Sequence, residues 1–101
     1  MTKESKSKWK FDQTENTATV TDKYIIDNKE PVLVVIHYSD DGSWAFLSGK
    51  TNDEKDGRVC SMIEIIQVDK SLGKLYKLPI GFIAKRKTYN GKWKIEKNNS
   101  E

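Results

Sequence analysis

What the chain lacks narrows its chemistry first. Its 101 residues include one cysteine, one histidine, two prolines and two arginines, the arginines set against sixteen lysines. A lone Cys60 forms no internal disulfide, which excludes the disulfide-rich scaffolds of small secreted domains and points to a reducing cytoplasm. A lone His37 excludes a histidine-rich metal site, and a nucleophilic triad built on it would need partners delivered by the fold. No glycine-rich phosphate loop occurs. The longest apolar run, residues 32–36, is far shorter than the roughly 20 residues of a membrane helix. Residues 1–12 are rich in Lys and Ser but lack the roughly 7–15 apolar residues of a secretory signal. Together these absences predict a cytoplasmic protein that is not an enzyme, carries no cofactor or metal and has no membrane partner.

What is present is a polar chain with enough apolar material for one modest core. Hydrophobic residues make up 36% and charged residues 33%, and ten aromatics argue against disorder. Charge is segregated. Residues 1–11 hold four lysines and one acid, residues 12–69 five basic residues against twelve acids, and residues 70–101 nine basic residues against two acids. Such an asymmetry produces an acidic partner-binding face, a basic anion-binding face, or two halves that neutralise each other once folded. The domain organisation predicted is a basic N-terminal arm over 1–16, one domain over 17–97 and a tail over 98–101.

Alternation of Thr17, Thr19 and Thr21 with Ala18 and Val20, followed by Tyr24, Ile25 and Ile26, predicts one strand or two joined by a kink. The β-branched run over 32–36 predicts the central strand. Asp40-Asp41-Gly42-Ser43 then turns the chain into Trp44-Ala45-Phe46-Leu47, an antiparallel hairpin, and residues 50–58 read as a hydrophilic loop. Ser61 followed by Glu64 is a capping box that starts a helix. Asp69 offers a second N-cap ahead of Leu72, Leu75, Tyr76 and Leu78, and Pro79 ends that segment. Asn90-Gly91 predicts a two-residue type I′ turn between strands over 82–88 and 92–96, with Phe82, Ala84, Trp93 and Ile95 on the core face. The fold class that follows is α+β, an antiparallel sheet of about five strands with one interrupted helical segment on one face.

Few residues are candidates for function. His37 reads as an ordinary strand-end histidine, with Asp40 and Asp41 near enough in sequence to be considered as partners for a base. Cys60 precedes the Ser61 cap, where a helix N-terminus depresses a thiol pKa, but beside Val59 and Met62 it reads as a small apolar residue. Asp40, Asp41, Asp53, Glu54 and Asp56 sit on two loops without the spacing of a calcium loop, and form a candidate docking face for a basic protein. The opposite patch, Lys85, Arg86, Lys87, Lys92 and Lys94 with Tyr89 and Trp93 interleaved, has the minimal composition for single-stranded nucleic acid.

The order of features from Ser39 onward resembles a bacterial family of small domains of unknown function, grouped with the immunity-protein-like proteins of polymorphic toxin systems. The residues that carry the resemblance are Asp41-Gly42, Trp44, Phe46 and Gly49, the helix after Ser61, Asp69-Lys70-Ser71-Leu72, and Leu78-Pro79-Ile80-Gly81-Phe82 ahead of Arg86. Lys70 stands where the family favours proline, and Ser43 separates Gly42 from Trp44. The resemblance implies a cytoplasmic α+β protein that neutralises a toxin by binding it. The acidic loops are then the contact surface for a basic partner such as a cognate toxin, with a nucleic-acid-associated domain using the basic C-terminal hairpin as the alternative.

Overall fold

A computed structural model describes residues 9–99. Its elements are β1 (Ala18–Asp22), α1 (Lys23–Ile26), β2 (Val34–His37), β3 (Trp44–Leu47), β4 (Gly57–Ser61), α2 (Met62–Val68), β5 (Phe82–Lys85) and β6 (Lys94–Lys97). Two 3-10 segments, Glu54–Asp56 and Lys70–Lys77, complete the chain. The architecture is α+β. The six strands form one sheet in the order β4-β1-β3-β2-β5-β6, and helices pack on one face of it.

Three features of the sheet differ from the sequence reading. The sheet is mixed, because β1 runs parallel to β3 while every other pair is antiparallel. The sixth strand, β4, lies partly in the segment read as a hydrophilic loop. Its sequence, Gly-Arg-Val-Cys-Ser, has too little apolar alternation to announce a strand, and it is held by five-residue pairing with β1. Finally, Tyr24, Ile25 and Ile26 form a helical turn instead of extending β1. The Asp22 carboxylate accepts from the amides of Tyr24 and Ile25, so an N-cap overrides the β-preference of the isoleucines.

The last hairpin also differs in register. Gly91 N–H donates to Thr88 O (2.9 Å), which puts Tyr89 and Asn90 at the turn's centre, one residue before an Asn90-Gly91 corner, and moves each cross-strand partner by two. Neither Asn90 nor Gly91 has a positive φ, so the turn is not type I′. Glycine eases the packing at 91, since a Cβ there would approach Thr88 O to 3.2 Å and the turn would have to give by a few tenths of an ångström. A shift of two preserves the alternation of side chains, but Ile95, expected on the core face, lies beyond the helical layer and is exposed. Ala84 now opposes Ile95, and Lys85 opposes Lys94.

The helical layer follows the sequence closely. Ser61 and Glu64 form the reciprocal capping box that opens α2. Asp69 accepts from Ser71 N–H to start the segment Lys70–Lys77, which is 3-10. A 3-10 helix has three residues per turn, and Leu72, Leu75 and Leu78 recur every three residues, so all three face the sheet and are buried. Under them lie Val35, Trp44, Phe46 and Ala84 from the sheet, with Ile25, Met62 and Ile65 from the helices. Full burial of each large member contributes about 1.5–3 kcal/mol of transfer free energy.

The expected arm over 1–16 belongs in part to the domain. Its first eight residues, like the last two of the expected tail, lie outside the described residues. From Trp9 onward the chain packs on the core: Phe11 is buried with its ring 5.0 Å from Trp44 in an edge-to-face contact. Gln13 donates to Gly42 O (3.0 Å), and Ile63 N–H donates to Glu15 O (2.9 Å). None of the described helices is long and apolar enough to cross a membrane.

Candidate functional site

Each strand presents alternate residues to opposite faces, so the pairing registers assign every strand residue to the helix-covered face or to the open one. Along one rung of the open face lie Val59, Val20, Ala45, Ile36 and Ile83. The neighbouring rung carries Leu47, Val34, Lys85 and Lys94. None of these residues joins the core cluster; Val20 and Val59 are 46% and 74% exposed, whereas Ala45 and Ile83 are buried.

At the lysine end of this face is a cavity of about 700 Å³. Leu33, Val34 and Gly49 supply its apolar floor, and Lys85, Lys87, Lys92 and Lys94 stand around it with no acid in the lining. The volume lies within the range of small-ligand and side-chain-accepting pockets. Lys85 and Lys94 oppose each other across β5 and β6, an arrangement that costs a few tenths of a kcal/mol to about 1 kcal/mol when nothing neutralises it. Glu96 moderates this pair from 3.9 Å and 4.0 Å. Lys87 and Lys92 have no ion pair among the described residues. The arrangement can therefore accept a negative group whose body is apolar.

The five basic residues singled out from the sequence do not act as one group. Arg86 also borders the cavity, but its guanidinium is withdrawn: Nη2 donates to Asp69 Oδ2 at 2.7 Å, and the two side chains are 2% and 4% exposed. Nε donates to Val32 O, while Trp93 and Tyr89 lie against the guanidinium at 4.2 and 5.4 Å. Arg86 thus ties the 3-10 segment to β5, and the two aromatics that gave the patch its nucleic-acid character are occupied with it.

The acidic candidates are dispersed. Asp40 and Asp41 lie in the connection from β2 to β3, whereas Asp53, Glu54 and Asp56 follow β3, so the length of that strand separates the two groups. Several are spent on local structure. Asp41 accepts from Ser43 N–H, and the Ser43 hydrogen bonds hold its carboxyl below the ordinary value. Asp53 caps Glu54–Asp56 by accepting from Lys55 N–H. Asp56 accepts from the Thr51 hydroxyl, the main reason its pKa is lowered, and meets Lys23 Nζ at 3.3 Å. Asp40 and Glu54 are exposed.

His37 is buried and stacked on Trp44, ring centroids 4.0 Å apart. Its Nδ1 is 2.7 Å from Leu78 O, and since a carbonyl only accepts, Nδ1 carries the hydrogen. Its Nε2 is 3.1 Å from Asp12 Oδ2, and Asp12 Oδ1 accepts from the Trp44 indole at 2.9 Å. The partner is Asp12, from the segment expected to be an arm, and not Asp40 or Asp41. Both ring nitrogens are engaged, Nδ1 with the end of the 3-10 segment at Leu78 and Nε2 with the Asp12 segment, which the Trp44 indole also holds to β3. Burial, and then the nearby Glu64, push the Cys60 thiol up from its ordinary value, the opposite of an activated nucleophile. Among the described residues no three His, Cys, Asp or Glu side chains gather as metal ligands.

No family model matches this chain, and no curated protein or solved structure matches it significantly.

Proposed function

We propose that this chain is a small non-catalytic protein-binding module whose ligand is an acidic segment of a partner protein, received at the lysine-walled corner of the open sheet face. The observation that carries this reading is the cavity itself: four lysines, no lining acid and an apolar floor. Charge complementarity of this kind accelerates encounter and fixes orientation, while the apolar floor contributes the area term. The immunity-like class implied by the family resemblance is the same kind of activity, neutralisation by binding, and belongs with a cytoplasmic location. In this reading the partner's contact surface is acidic, because the chain's own acids are divided between the two ends of β3 and its lysines converge.

The test uses a fluorescein-labelled peptide of alternating Glu and Leu, its Gln-for-Glu counterpart and a single-stranded oligothymidylate. The Glu peptide is expected to bind at low salt, the Gln peptide at least about tenfold more weakly, and a Lys87→Glu/Lys92→Glu variant to lose the difference. Both lysines are exposed, so the variant keeps the fold. Equal binding of both peptides, no binding of either, or tighter binding of the oligonucleotide overturns the proposal, the last in favour of nucleic acid.

A further inference from the structure

The two edges of the sheet are finished differently. On β4, Met62 N–H bonds to Thr17 O, so by the alternation of antiparallel ladders Cys60 and Arg58 bond inward to β1, and Gly57, Val59 and Ser61 face outward. That outward row is largely engaged already. Ser61 N–H donates to Glu64, Gly57 N–H to Glu54 O, and Gly57 O accepts from Arg58. On β6, Asn98 N–H bonds to Gly81 O, so Glu96 and Lys94 bond inward to β5, and the N–H and C=O of Ile95 and Lys97 point away from the sheet. Among the described residues no strand pairs with this row, and Ile95 is 51% exposed.

An open edge pairs with another strand unless its side chains forbid it. The sequence of β6 forbids most strands but is complementary to itself. In an antiparallel pairing centred on Ile95, Ile95 opposes Ile95, and Lys94 of each copy opposes Glu96 of the other. Ile95 is an outward-bonding residue, so the rung it forms with its counterpart is the hydrogen-bonded kind that such a centre requires. We infer that β6 pairs antiparallel with β6 of a second copy about Ile95, joining two sheets into one of twelve strands across a two-fold axis. The axis is perpendicular to the sheet, so the open faces of both copies lie on the same side, with their lysine cavities flanking the junction. The second copy supplies Glu96 to a lysine that borders the cavity, so dimerisation adjusts the charge of the site and doubles it.

The contact is smaller than a standard interface of about 1,200 Å² or more, which makes the association weak and concentration-dependent. Sedimentation equilibrium from about 10 μM to about 1 mM covers the range expected for such a contact. The average mass should rise from monomer toward dimer. Ile95→Pro removes only the outward N–H and leaves the bonds to β5, and should weaken association at least about tenfold with the thermal midpoint little changed. Glu96→Lys sets lysines opposite each other and should do the same, and Lys94→Glu/Glu96→Lys should restore dimerisation. A monomer across the whole range, or a dimer indifferent to Ile95→Pro and Glu96→Lys, overturns the inference. Failure of the double exchange to restore what Glu96→Lys removes overturns the register.

Discussion

The two faces of the sheet are built from the same strands and differ in what their alternate residues meet. On one, Trp44, Phe46 and Val35 are buried beneath α2 and the 3-10 leucines. On the other, Val20 and Val59 remain exposed, the apolar rung ends at Glu96 and the rung beside it ends at Lys85 and Lys94. A six-stranded sheet with one helical layer must leave a face without a cover, and in a chain with 36% hydrophobic residues that face need not be apolar. That it carries Val59, Val20, Ala45, Ile36 and Ile83 in one row separates it from a face composed only for solvent.

The sharpest way to break the contrast is to truncate one residue on each face. Phe46→Ala, on the covered face, should lower unfolding free energy by about 3–5 kcal/mol in urea titration. Val59→Ala should change it by less than about 0.5 kcal/mol. Similar losses would mean that something covers both faces. Asp69→Ala tests the covered side at its edge: it leaves the Arg86 guanidinium buried and unpaired and removes the cap of the 3-10 segment. A loss of about 3–5 kcal/mol is expected, and a loss below 1 would show that Arg86 finds another acceptor.

The smallest effect concerns the exposed acids. Asp41, Asp56 and Glu64 have lowered pKa values because Ser43, Thr51 and the Ser61 amide hydrogen-bond to their ionised forms. A folded-state pKa below the unfolded one stabilises the protein at pH above the unfolded value, about 4, and the contribution is lost as pH falls through and below it. The thermal midpoint should therefore drop between pH 5 and pH 3, and drop less in an Asp41→Asn/Asp56→Asn/Glu64→Gln variant. An equal drop in both would remove these carboxylates from the acid response.

Local signals were legible where one residue's chemistry decides the backbone. The Ser61–Glu64 capping box, the Asp69 cap and the stop at Pro79 stand where the sequence puts them. Gly42, Gly49 and Gly81 have positive φ, a conformation glycine adopts without strain, and Trp44 and Phe46 anchor the core. The lysines of the cavity were visible as a patch, although not as a pocket, since its floor comes from β2 and the end of β3. Arg86 was placed with them because nothing local distinguishes a solvated arginine from one buried against an aspartate seventeen residues earlier.

By itself the sequence determined the α+β class, the starts of the helical segments after Ser61 and Asp69 and which alternate residues share a face, because caps, turn residues and side-chain period act within a few residues. Only the tertiary structure decided the parallel pairing of β1 with β3, the recruitment of polar β4 as a strand, the docking of Trp9, Phe11 and Asp12, and the opposite ends taken by the two acidic loops. Each of these depends on partners far apart in the chain. Their free energy appears only when the sheet and its helical layer close together.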